Sequence, residues 1–229
     1  MDFHAIHTFD DFCPALRQAG FSLGGPNDKG IFSLSRYYGP GVTWHTGDPQ
    51  TDPWEWRMRS VEECRDMAYG NLFFRRAGWV TLDWYPYFVA VRREGKPLEQ
   101  LYQEGYISQI AYGIYGLIRE YGEVSMHEMK VSLNITRETR SAFQAALVHL
   151  QMLLLITVCG SQYKCGKNGQ PYGWPTTVFC SVERFFGGTG IAGQAQEIGK
   201  ERAAQKIAGQ VRLLNPQVEE QVLQEFIFG

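Results

Sequence analysis

"ITRETRSAFQAALVHLQMLLL" (residues 135–155) runs directly into "ITVCG" (156–160) and, after a long insert, "TTVFCSVERFF" (176–186). In the first stretch Thr136 stands where a helix N-cap is needed, and Phe143, Leu147, Leu150 and Leu154 recur at helical spacing as one apolar stripe. The other two are rich in β-branched and aromatic residues. The insert "SQYKCGKNGQPYGWP" between them carries Asn-Gly and Gly-Trp-Pro signals, which predict a long hairpin tip. Working backwards, "SMHEMKVSLN" (125–134) places Ser125 and Glu128 at capping-box spacing and predicts a short helix. Before it, "PLEQLYQEGYISQIAYGIYGLIREYG" (97–122) opens on a first-turn proline and stops at Gly122. Ile107, Ile110, Ala111, Ile114, Ile118 and Tyr121 fall on one side of it, so one core-facing helix is expected. Three helices and then a hairpin is the element order of a winged helix-turn-helix.

The flanks complete an α+β reading with three parts: an N-terminal α/β segment over 1–96, a winged helix-turn-helix core over 97–187, and C-terminal helices over 188–229. In the first part Thr8 caps a short helix that stops at Gly20, and "IFSLS" (31–35) reads as a short strand between turn signals. "SVEE" (60–63) forms a second capping-box pattern, and "NLFFRRAGWV" (71–80) reads as a strand pair or a bulged strand. Thr81 is placed to cap a helix through "LDWYPYFVAVRR", bent at Pro86. In the last part "QAQEIGKERAAQKIAGQV" and "NPQVEEQVLQEF" read as two closing helices.

Composition sets the class. Hydrophobic residues at 44% and charged residues at 20% fit a globular protein rather than a disordered or fibrous one. No apolar run approaches the roughly 18 residues of a membrane span, and the N-terminus lacks a secretory pattern, so a cytoplasmic protein with no membrane partner is expected. The five cysteines are odd in number and match no common zinc spacing; free thiols and no metal follow, and no cofactor motif is complete. "GTGIAG" (188–193) matches a dinucleotide fingerprint, but too little chain follows it to complete a doubly wound sheet, so it reads as a linker or helix entry.

A net charge of −2 argues against a wholesale nucleic-acid footprint and leaves room for local ones. Residues 57–93 hold seven arginines against four acids, Arg75 and Arg76 among them. On the 135–155 helix, Arg137, Arg140 and Gln144 share the face opposite the apolar stripe. Arginine and glutamine at a helix N-terminus suit phosphate contact and base-edge reading, which points to duplex DNA. "WHTGDPQTDPWEWR" (44–57) gathers His45, Asp48 and Asp52, a set able to activate a water, with Trp44, Trp54 and Trp56 available as a pocket wall. The same stretch also reads as a structural staple of Asx turns and packed indoles. Three functions therefore stand: duplex DNA binding, a hydrolase using the His45 loop, and a non-catalytic interaction scaffold.

The quoted segments "GEVSMHEMKVSL", "RSAFQAALVHLQMLLLI" and "YGWPTTVFCSVERFF", over about residues 97–187, resemble the winged-helix DNA glycosylases of bacteria that excise alkylated bases and unhook interstrand crosslinks. "WHTGDPQTDPWEWR" with "GNLFFRRAGWVTLDWYPYFVAVRR" is similar to uncharacterised bacterial relatives of those enzymes. The resemblance implies tandem winged helices and association with DNA, which gives the duplex-binding reading a repair-like role and makes the enzyme reading a hydrolase or glycosylase-like one. Those glycosylases carry a Gln-hydrophobic-Gln catalytic signature. The only such triplet here, Gln194-Ala195-Gln196, lies after the hairpin, and catalysis is not carried over to it.

Overall fold

The computed structural model describes residues 3–94, 96–165, 168 and 170–229. Its first helix, α1 (Phe9–Ala19), begins as expected at Thr8. The Thr8 side chain accepts the Asp11 N–H, the Asp11 carboxylate accepts the Thr8 N–H, and Gly20 ends the helix at φ 87°. Strand β1 (Phe21–Leu23) follows. The strand expected at 31–35 is instead an irregular run into a 3-10 turn at Leu34–Tyr37. Serine hydroxyls account for the difference: Ser33 donates to the Leu23 carbonyl and Ser22 accepts the Leu34 N–H, bonds that a ladder would otherwise have made.

Helix α2 (Pro53–Arg59) continues as a π turn through Ser60–Cys64. The capping box expected at Ser60 and Glu63 does not form, because this helix is capped eight residues earlier, on Asp52, with Pro53 in the first turn. Ser60 donates to the Arg57 carbonyl and accepts from the Trp79 indole, while Glu63 pairs with Arg59 at 2.7 Å. Strands β2 (Met67–Phe73) and β3 (Arg76–Thr81) form the expected pair, turned at Phe74-Arg75 with φ of 50° and 60°. Thr81 stays in the strand and donates to the Gly20 carbonyl; α3 (Tyr85–Arg93) starts after it with Pro86 in the first turn, where proline needs no bend.

The single helix expected over 97–122 is two, α4 (Leu98–Gln103) and α5 (Gln109–Tyr121). Gly105 at φ 75° breaks it, and Ser108 caps the second part by accepting the Ala111 N–H. Tyr121 is exposed rather than on the core stripe. Strand β4 (Glu123–Ser125) leads into α6 (Met126–Ser132), whose Ser125–Glu128 capping box closes as expected. Helix α7 (Arg140–Met152) starts later than Thr136: residues 137–139 are a turn, and the Thr136 hydroxyl donates to Glu138. The stripe Phe143, Leu147, Leu150 and Leu154 is buried.

Strands β5 (Ile156–Cys165) and β6 (Pro171–Ser181) form the hairpin. Its expected Asn168-Gly169 tip involves residues 166, 167 and 169, outside the described ones. Ser181 ends β6 and caps α8 (Val182–Phe185), so the strand expected to reach 186 stops five residues short. Gly190 at φ 71° opens α9 (Ile191–Ile198), which makes "GTGIAG" a helix entry. Gly199 then divides the first expected closing helix into α9 and α10 (Lys200–Leu214), ahead of α11 (Glu220–Phe228).

Among the described residues six strands form one antiparallel sheet in the order β1-β3-β2-β5-β6-β4. β2 meets β5 at Tyr69 and Val158, so strands from before residue 96 and after 156 share it. Phe21, Phe73, Phe88 and Phe226 pack together beside it, with the Phe73 and Phe226 rings stacked at 4.3 Å. Buried Arg92 ties this region to the rest by donating to the carbonyls of Leu72, Met152, Phe226 and Ile227. Among the described residues no helix is long and apolar enough to cross a membrane.

Candidate nucleic-acid interface

Asp52 organises the loop of residues 44–52. Its carboxylate is wholly buried and accepts the backbone N–H groups of His45 (3.0 Å), Gly47 (2.9 Å) and Trp54 (2.8 Å), which caps α2 and folds the loop back onto it. Burial alone would raise its pKa; the N–H bonds from Gly47, Trp54 and His45 outweigh that and hold the carboxyl below its ordinary value. Asp48 makes its own small turn, accepting from Gln50 N–H and the Thr51 hydroxyl, and those bonds lower its pKa too. Asp52 thus meets the His45 backbone, while the His45 ring lies 4.9 Å from the Trp54 ring and 6.2 Å from Trp44.

The three tryptophans separate. Trp56 is fully buried among Phe9, Phe12 and Tyr38, and its indole N–H donates to the Gln50 carbonyl, so it staples the loop rather than walling a pocket. Trp44 and Trp54 face outward onto a cleft of about 240 Å³ that also takes in Leu23, Arg57, Tyr69 and Arg76. The Arg57 guanidinium carbon sits 3.2 Å from the Trp54 ring centroid, and its Nε donates to the Trp54 carbonyl. Burial pushes the Tyr69 phenol up, against the opposing pull of Arg57.

A second cleft, of about 230 Å³, shares Arg57, Tyr69 and Ala77 with the first and runs to Met126, Gln144 and Leu147. Gln144, on α7, therefore lines a cleft adjacent to that of the tryptophan loop; its amide is 3.8 Å from the Met126 sulfur. Between the two walls Gln151 is buried, accepting from Asn71 N–H and donating to the Leu147 carbonyl. Arg137 and Arg140 are exposed at the start of α7 and line neither cleft. Arg75 is exposed on the β2–β3 turn; burial, and then the charge of Arg75, push the α7 residue His149 below its ordinary pKa. Arg76 is held by Asp28 at 2.6 Å, which lowers the Asp28 pKa.

Arg57 and Tyr69, which line both clefts, carry no sequence signal that singles them out. Arg57 ends the quoted tryptophan stretch, but only the helix on which it sits turns it onto Trp54. Trp174, 92% exposed on β6, is a further aromatic that the hairpin pattern alone does not single out. Among the described residues no three His, Cys, Asp or Glu side chains gather as a metal requires.

The model of the AlkZ-related family matches residues 6–228. This chain belongs to the AlkZ-related family. AlkZ itself is a crosslink-repair glycosylase. No curated protein and no solved structure matches the chain. In this AlkZ relative the triplet Gln194-Ala195-Gln196 lies on α9, where Ala195 is buried, Gln194 donates to the Thr189 carbonyl and Gln196 borders a different cleft.

Proposed function

We propose that this chain is a winged-helix protein that binds duplex DNA in a repair role, with residues 97–187 as the winged-helix unit. The observation that carries the reading is the pairing of β4 with β6. A short strand after α5 lies against the second strand of the hairpin that follows α7, so the helices and a three-stranded antiparallel ribbon close on one another. In that arrangement the helix before the hairpin is the one offered to a groove. Exposed Arg137, Arg140 and Arg75 supply phosphate contacts, Gln144 supplies a base-edge group, and the Trp44–Trp54–Arg57 cleft offers a stacking surface for an unpaired base. Membership of the AlkZ-related family supports the repair role.

The catalytic alternative at His45, Asp48 and Asp52 is supported less, because the Asp52 carboxylate is buried and accepts three backbone N–H groups, the arrangement of a loop anchor and helix cap rather than of a base open to a water. The test of binding is an anisotropy titration of a labelled duplex between about 50 and 200 mM salt. Affinity that falls steeply as salt rises is expected; no duplex affinity at the lowest salt would overturn the proposal in favour of an interaction scaffold.

A further inference from the structure

A separate cleft of about 390 Å³ opens between α3, α4, α5, α8 and α9. Val89, Leu98 and Leu155 form its apolar side. Its floor is ionic. Arg93 is 7% exposed, and its Nη2 lies 3.7 Å from Glu183 Oε1, too far for a hydrogen bond. Arg93 Nε and Nη2, Glu183 Oε2 and the neighbouring Tyr85 hydroxyl are all buried with no hydrogen-bond partner in the protein. Buried polar groups are rarely left in this state, and an incompletely bonded ion pair contributes little to folding. Of these residues Arg93 and Glu183 line the cleft, and an incompletely bonded ion pair beside an apolar wall has the composition of a ligand site.

We propose that this cleft binds a free α-amino acid with an aliphatic side chain, its carboxylate on Arg93 and its ammonium on Glu183. The Nε and Nη2 edge of Arg93 is a two-donor fork that matches a carboxylate, and the free Oε2 of Glu183 accepts from an ammonium. Charge selects the zwitterion. Lys96, Glu99 and Arg119 also line the cleft, but Lys96 is paired with Glu104 at 2.7 Å and Arg119 with Glu99 at 3.0 Å, which leaves Arg93 and Glu183 as the incompletely bonded charges. An anion alone would crowd Glu183 and a cation alone would crowd Arg93, whereas a ligand carrying both charges satisfies both. The Glu183 side chain is 43% exposed, so it can swing aside to admit the ligand. Val89, Leu98 and Leu155 then receive the aliphatic side chain.

The test is calorimetric titration of the full chain with L-leucine, 4-methylpentanoate (which lacks the ammonium) and leucine methyl ester (which lacks the free carboxylate). No DNA is present, so the outcome is independent of the duplex reading. Leucine is expected to bind, with each analogue at least about 10-fold weaker, the loss of one charge-assisted contact. Glu183→Gln should weaken leucine binding by a similar factor. Ala192→Trp, at an exposed position on the cleft wall, should block binding while leaving the circular dichroism spectrum and Tm unchanged. No leucine binding at millimolar concentration, 4-methylpentanoate binding as tightly as leucine, or full binding by a folded Ala192→Trp variant would each overturn the proposal.

Discussion

Replacing Asp52 by alanine removes a buried carboxylate that accepts three backbone N–H groups and caps α2. Loss of the cap costs about 1 kcal/mol. The two loop bonds are charge-assisted, but the N–H groups of exposed His45 and Gly47 regain water when freed, so about 1 kcal/mol each is the reasonable scale. The sum is about 3 kcal/mol, a fall in Tm of about 6–12 °C for a chain of this length. The loss should depend on pH with a defined sign. The folded-state pKa of Asp52 lies below its ordinary 3.8, so its contribution is full above that value and is lost as pH falls through the lower, folded-state one. Differential scanning calorimetry of Asp52→Ala beside the wild type, at neutral pH and in an acid series, makes the measurement. A Tm within about 2 °C of wild type together with abolished ligand or DNA binding would refute the argument, because Asp52 would then be a chemical group and not the anchor of the loop.

Other outcomes follow from the same geometry. Replacing Arg137 and Arg140 together by alanine should lower the salt-dependence slope of duplex affinity by up to about two, read by anisotropy at several salt concentrations. Trp54→Ala, at a ring 44% exposed, should weaken single-strand binding by about 1–3 kcal/mol with little change in Tm, checked by paired titration and melting. In Gly78→Ala the new Cβ would stand 2.7 Å from the Ser22 carbonyl oxygen and 2.9 Å from the Phe73 ring; urea unfolding should show a loss of about 1–3 kcal/mol.

Much of the fold was legible where a local signal and the core agreed. Thr8 and Gly20 bound α1, Ser125 and Glu128 cap α6, and the Phe143–Leu154 stripe faces inward, because each rests on bonds or periodicity within one element. The reading failed where a side chain was claimed by a distant partner. Ser60 is taken by the Trp79 indole from β3 and Thr81 by the Gly20 carbonyl, and neither partner is visible from the neighbouring sequence. Two errors had a local remedy: Asp52-Pro53 is itself a helix-start signal, and Gly105 followed by Ser108 marks the break inside 97–122. At the candidate site the tryptophan stretch was found from composition, but its division into a buried staple and an outward pair depends on α2 being helical. The placing of that cleft beside the one on α7, with Arg57 and Tyr69 lining both, depends on β2, a strand far from α7 in sequence.

Hydrogen exchange of the full chain with and without a saturating DNA duplex tests the central claim most directly, since it reads which surface the duplex covers. The account predicts that added protection concentrates at the start of α7, around residues 137–144, and on the β2–β3 turn at Arg75. Unchanged exchange at both places while duplex is bound, or protection confined to the separate cleft around Arg93 and Gln196, would contradict it.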